Sequence, residues 1–406
     1  MFQKLKLKTK LTTAGRWVTG HVRLLILFGL FAALLSFLLS YRLSTLPTNS
    51  LSASERLLAI TTVGWHGLLQ NPFFLTTKLQ LSAGFYFFGQ GGALVTRLPS
   101  VALGALAIIG VTGLIRAWHG SRMAILGGLL FACSAWTLHV SRYANTDSTY
   151  LAAIPILLVS QLVLQRLKTS WLPYVVLVVW SLLLFTPGLI WFVLVAGYWE
   201  RDSFVSAWRQ QKMWRRRLLL AVCSLAWLPL LLQFFIKQPA QIVQWLGAPA
   251  QLAAPSALLH QLAAVPLHLF VHGPAIPELW LGQLPVLDIF TLTATLLGIV
   301  FYVRHWRSRR SRLLLSYAVI GTIVIALGGA ASLSLIVPLA FLVAASGLNS
   351  LLRDWLQRFP LNPIVRSLGI STLSLVVAVS CVYNLQSYFV AWPHNATTVS
   401  HFSSKP

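Results

Sequence analysis

Acidic side chains are scarce in this sequence. Seven Asp and Glu stand among 406 residues, and all charged residues together make up 9%. A soluble domain carries roughly 25% charged residues, and so few charges cannot cover a water-exposed surface of this size. The scarcity excludes an ordinary water-soluble architecture and leaves lipid as the main solvent. Cysteine is scarcer still. Cys133, Cys223 and Cys381 all fall inside apolar runs, with no spacing that suggests a metal site or a disulfide framework, and they read as small buried core residues. No internal repeat is detectable. No small-residue cleavage site follows the first apolar run, so residues 24–41 read as a retained first span rather than a cleaved signal.

What is abundant is apolar: 57% of the residues, beside 31 Lys and Arg that give a net charge of +24. That charge would suit a nucleic-acid binder if it formed a patch. Here the basic residues lie between apolar runs, the arrangement that orients membrane proteins. Membrane lipid is therefore an expected partner and nucleic acid is not. Eleven spans are expected, near 24–41, 99–116, 123–140, 149–165, 171–186, 187–199, 218–235, 288–303, 313–331, 332–348 and 369–388. Residues 171–199 form one apolar stretch, interrupted by Thr186-Pro187-Gly188. As a single helix it would reach about 44 Å against a ~30 Å hydrocarbon core, so it reads as two spans. Residues 313–348 break at Gly328-Gly329.

This division puts most of the Lys and Arg, including the cluster 208–217, on the side of the N-terminus. By the positive-inside rule that side is cytoplasmic. The expected fold class is thus all-α: a polytopic transmembrane bundle of about eleven spans in the plasma membrane. A basic cytoplasmic tail covers 1–23, the transmembrane domain 24–388, with outer loops 42–98 and 236–287, and a short outer tail 389–406. Residues 53–70 and 73–88 look helical, and the second, aromatic at both ends, reads as a helix lying in the membrane interface.

Glu200, Asp202 and Asp354 sit among basic residues, where charge balance explains them. Glu55, Asp147, Glu278 and Asp288 fall on the outer side, and near lipid a charge is costly enough to suggest a use. Arg97-Leu98-Pro99-Ser100 opens the second span, with Pro99 in its first turn. Residues Ser141 to Asp147 then join the third span to the fourth, so Arg97, Arg142 and Asp147 share the outer surface. Asp147 stands near a helix N-terminus, where the dipole favours its charge; it also reads simply as a cap paired with Arg142. Asp288 reads first as a cap. His268 and His272 share one helical face and fit either a metal pair or unpaired histidines in an amphipathic loop. Asn395-Ala396-Thr397 matches a glycosylation sequon by pattern.

The order RLPS, a Gly/Ala-rich span, a short basic turn, a small-residue span and then SRYANTDS resembles the GT-C glycosyltransferases. Within them it is most similar to the protein O-mannosyltransferase and aminoarabinose transferase-like group. Asn71-Pro72-Phe73-Phe74, Thr186-Pro187-Gly188 and Pro285-Val286-Leu287-Asp288 fit the same pattern. The resemblance implies a membrane enzyme that moves a sugar from a polyprenyl-phosphate donor to a glycan, lipid or protein acceptor on the outer face, with inversion. It implies Glu55 as general base and Asp147 as the second acid, orienting the acceptor or a metal. Arg97, Arg142 and Lys78 would bind the lipid phosphate, with Glu278, Asp288 and Tyr143 as further acceptor or metal contacts. The resemblance assigns no definite cofactor, and a divalent metal ion stays open. This sequence has Ser54-Glu55 where that group usually has Asp, or Asp followed by Glu. Two other readings suit the composition: a lipid or sugar transporter, and a catalytically inactive relative acting as a membrane scaffold. Transporters usually carry midplane charges and often repeats, whereas these spans have almost no midplane charge and no detectable repeat.

Overall fold

A computed structural model describes residues 26, 29–47, 51–62, 70–89, 92–167, 169–251, 253–274, 281 and 283–403. Glu278 lies outside them. Residues 1–41 form one unit, whose described part is the apolar helix α1 (29–40), and residues 42–406 form the second. Among the described residues every regular element is helical. The second unit opens with α2 (Ala53–Thr62), α3 (Leu75–Phe88) and the long α4 (Ala93–His119). Then come α5 (Ser121–Cys133), α6 (Ala135–Arg142) and α7 (Asp147–Arg166). The middle of the chain gives α8 (Leu172–Leu183), α9 (Ile190–Gln210), α10 (Trp214–Ser224), α11 (Leu228–Lys237), α12 (Gln241–Trp245) and α13 (Pro255–Phe270). Four long helices follow: α14 (Ile289–Arg304), α15 (Arg309–Ala326), α16 (Val337–Arg358) and α17 (Pro363–Gln386). A π turn over Ser387–Ala391 continues α17, and α18 spans Ala396–Ser403.

Hydropathy located these elements, and local chemistry moved their ends. The stretch 171–199 is indeed two helices. Thr186-Pro187-Gly188 turns the chain between α8 and α9, with Gly188 at φ 79° and its N–H donating to the Trp245 carbonyl at 2.8 Å. The second expected span starts six residues earlier, at Ala93, so Pro99 lies inside α4 rather than in its first turn. There its missing N–H leaves one helical bond unmade. The third expected span is not one helix: α5 and α6 meet at Ser134 with a bend of 62°. The break strands the Ala135 N–H at the start of α6, and Asn384 Oδ1 from α17 accepts it at 3.1 Å. A second bend, of 55°, divides α10 from α11.

By length and composition three described helices qualify as spans, or five if each bent pair counts as one. This is fewer than the eleven hydropathy runs, because α1, α8 and α14 are apolar but shorter and other runs are broken.

Helices α14 and α16 approach through small residues. A Cβ on Gly298 would lie 2.0 Å from the Val343 carbonyl oxygen, and one on Gly347 2.1 Å from that of Ala294. The side-chain methyl is excluded by backbone, which cannot rotate away. Gly347→Val is therefore expected to separate the two helices and sharply lower the yield of folded, monodisperse protein. Wild-type behaviour of that variant in size-exclusion chromatography would contradict the close packing.

Candidate active site

The site begins with a helix cap. Ser52 precedes α2, and Glu55 stands three residues on, the spacing of a capping box. Ser52 Oγ accepts from the Glu55 N–H at 3.2 Å, while Glu55 Oε2 accepts from the Ser52 N–H at 3.0 Å. Glu55 is also the centre of a long-range contact. Arg97 on α4 grips it with two bonds, Nε to Oε1 at 2.8 Å and Nη2 to Oε2 at 3.0 Å. The Ala144 N–H adds a bond to Oε1 at 3.1 Å. A carboxylate has about four lone-pair positions, and these four donors occupy them. Glu55 is 0% and Arg97 1% exposed, and Arg97 Nη1 further donates to the Leu43 and Leu46 carbonyls. The residue expected to act as base therefore ties together the first loop, α4 and the 143–147 loop.

Tyr143 lies against the same knot. Its hydroxyl shares hydrogen bonds with Ser52 Oγ at 2.6 Å and Ser54 Oγ at 2.5 Å. The loop then enters α7. Asn145 Oδ1 accepts from the Ser148 N–H at 3.2 Å and so caps the helix. Asp147 is the first residue of α7, at the end where the dipole favours a negative charge.

Asp147 lines a cavity of about 640 Å³, together with Ser54, Trp136, Tyr143, Asn145, Gln261 and His268. Two of these residues each keep a buried amide atom without a hydrogen-bond partner, Asn145 Nδ2 and Gln261 Oε1. A second cavity, of about 500 Å³, lies among α13, α14, α15 and α16 and is lined mainly by apolar side chains such as Leu269, Ile299, Leu315 and Val343. Val265 borders both, so the cavity that holds Asp147 and the more apolar one share a wall.

None of the three expected phosphate ligands is among the described residues lining the cavity that holds Asp147. Arg97 is bound to Glu55. Arg142, 3% exposed, packs its guanidinium over the rings of Phe389 at 4.9 Å and Tyr388 at 5.6 Å. Lys78 on α3 donates to the Asn71 carbonyl at 2.6 Å. Asp288 is the N-cap of α14, accepting from the N–H groups of Phe290 and Thr291 at 3.0 Å each. Its Oδ2 accepts from Ser380 and Asn384 of α17 at 2.9 Å, so it clamps two helices. His268 stacks on His272 at 5.3 Å between ring centroids. Among the described residues no three His, Cys, Asp or Glu gather in a way that could hold a metal ion. The sequence did not single out Trp136, Asn145 and Gln261. Asn145 lay within SRYANTDS, but nothing local marks Trp136 or Gln261 as neighbours of Asp147.

Burial pushes the Lys78 amine down to about 8 from the usual 10.5. Between these values the unfolded chain holds the proton and the folded one does not, so stability rises with pH across that window. Lys78→Met removes the effect. The melting-temperature difference between wild type and this variant should move toward wild type from pH 7 to pH 10, and a constant difference would refute the assignment.

Solved structures with similar architecture exist. ArnT from Cupriavidus metallidurans in the apo state matches with a TM-score of 0.51 and 14% identity, over 95% of this chain and 77% of that one. The same protein bound to undecaprenyl phosphate gives 0.52 and 15%, over 92% and 76%. The Archaeoglobus fulgidus oligosaccharyltransferase, tethered with an acceptor peptide containing the NVT sequon, gives 0.52 and 14%, over 96% and 56%. No protein-family model matches the sequence, and no curated protein does. The chain thus has the fold of the GT-C membrane glycosyltransferases, an all-helical, multi-pass architecture.

Proposed function

We propose that the chain is a glycosyltransferase moving a sugar from a polyprenyl-phosphate donor to an acceptor hydroxyl, with Asp147 as general base. One observation carries the reading: Asp147 lines a cavity with several polar side chains on its wall, and that cavity borders a more apolar one at Val265. The apolar cavity suits a polyprenyl chain. The cavity beside Asp147 suits a sugar, with Ser54, Asn145, Gln261 and His268 on its wall as partners for hydroxyl groups. Trp136 and Tyr143 line the same chamber.

In the transfer the acceptor oxygen attacks the anomeric carbon as its proton passes to Asp147. The bond from that carbon to the phosphate oxygen breaks on the opposite face, so the anomeric centre inverts. The departing phosphate is stabilised by positive charge. Arg142, just before the loop that carries Asp147, is the proposed source of that charge. By loop charge the chamber faces outward from the plasma membrane, with the N-terminus in the cytoplasm.

Purified protein in vesicles containing polyprenyl-phosphate-linked hexose or pentose is expected to release free polyprenyl phosphate, detected by mass spectrometry. No release with any such donor and a mixed pool of acceptors would overturn the reading. The complete hydrogen bonding of Glu55 favours one alternative, an inactive scaffold. Donor binding without turnover would select it.

A further inference from the structure

Helix α13 is the partition between the two cavities. Gln261, Ala264, Val265 and His268, at helical spacing, line the chamber that holds Asp147. Leu262, Pro266, Leu269 and Phe270, interleaved with them on the same helix, line the apolar cavity. Among the described residues lining the Asp147 chamber, Asp147 is the only carboxylate and His268 the only side chain that can carry a positive charge. His268 is also held in place. Its Nδ1 lies 3.2 Å from the His272 carbonyl oxygen, and its ring stacks on that of His272. Its own carbonyl accepts from the Val286 N–H at 3.4 Å. A carbonyl oxygen only accepts, so Nδ1 carries the hydrogen in the bond to His272, and Nε2 is the ring nitrogen left for a ligand.

We infer that His268 binds the phosphate of the polyprenyl-linked donor through Nε2 and stabilises it as it departs. The nature of the donor rests on the transferase reading above. A donor whose tail occupies the apolar cavity and whose sugar lies beside Asp147 has its phosphate between the two, and α13 is what lies there. Ser54, Asn145 and Gln261 suit hydroxyl groups, whereas His268 in its protonated form adds charge. In the transfer the acceptor oxygen bonds to the anomeric carbon and its proton passes to Asp147. The electron pair of the breaking carbon–oxygen bond stays on the phosphate, which goes from one negative charge to two. The Nε2–H of protonated His268 donates to the phosphate throughout and keeps its proton, so this hydrogen bond strengthens as the second charge develops. His268 meets the phosphate directly, while Arg142, packed on Tyr388 and Phe389, adds its charge from behind the described lining.

The full-length protein in phosphatidylcholine vesicles is titrated with polyprenyl phosphate and, in parallel, with the uncharged polyprenol. Wild type is expected to bind the phosphate about tenfold or more tightly than the alcohol. His268→Asn keeps an amide N–H near the Nδ1 position and removes Nε2. It should weaken binding of polyprenyl phosphate about 10- to 100-fold, the usual range for a hydrogen bond to a charged group. Binding of polyprenol should not change, and turnover of the donor should fall by a similar factor. If that variant is not recovered folded, His268→Gln, which keeps a neutral N–H near the Nε2 position, carries the same comparison, with a loss of about tenfold for the phosphate alone. Unchanged affinity for polyprenyl phosphate, or equal losses for the phosphate and the alcohol, would overturn the inference. Wild-type turnover in His268→Asn would also overturn it and leave the transferase reading standing. Phosphate binding that depends on His268 in a protein without turnover would keep the phosphate site and remove the transferase reading.

Discussion

Glu55→Gln is expected to lower stability by about 3–5 kcal/mol, the cost typical of removing one partner from a buried ion pair. Glutamine keeps the shape of the side chain but replaces one acceptor oxygen with an amide donor. Arg97 then points N–H groups at an N–H group, and its charge stays buried without a counterion. The Ser52 and Ala144 N–H groups compete for the one remaining oxygen. Because Glu55 joins the first loop, α4 and the 143–147 loop, the loss should appear as reduced folded yield and a lower melting temperature. Adding Arg97→Met should recover part of the loss by removing the stranded charge. Recovery stays incomplete, since the Leu43 and Leu46 carbonyls lose their donor. If Glu55→Gln melts within about 2 °C of wild type, the ion pair is not structural and the role of Glu55 as base returns.

Asp147→Asn is expected to do the opposite: it leaves the fold intact and lowers turnover by about 10²–10⁴-fold, the usual contribution of a general base. Asparagine is isosteric but cannot take a proton from an attacking hydroxyl at neutral pH. The helix start should survive, because Asn145 and not residue 147 caps the Ser148 N–H. The comparison is made on protein matched for melting temperature, with release of polyprenyl phosphate as the readout. Turnover within about threefold of wild type would remove Asp147 from catalysis. The two variants thus separate two acids that the sequence grouped together: one should fail by losing structure, the other by losing chemistry.

Much of this was local and hence legible in the sequence. Charge scarcity required lipid, and the apolar runs required helices, because helices satisfy their own backbone bonds where there is no water. Thr186-Pro187-Gly188 marked a turn, since proline and a glycine at positive φ end one helix before another begins. Asp288 was readable as a cap. The motif around SRYANTDS led to the fold, and the similar solved structures share that fold.

Tertiary structure decided the rest. Nothing near Glu55 in sequence says that Arg97 will saturate its carboxylate, or that Arg142 will lie on the rings of Tyr388 and Phe389. Nothing near Asp147 says that Gln261 and His268 will share its cavity. The few acids that opened the sequence reading therefore divide by burial and partners, which are set by packing between distant segments. Hydropathy and caps depend on neighbours within a few residues, so the sequence alone determined the helices and the lipid solvent. Which acid is a strut and which faces the chamber depends on long-range contacts, and only the fold decided it.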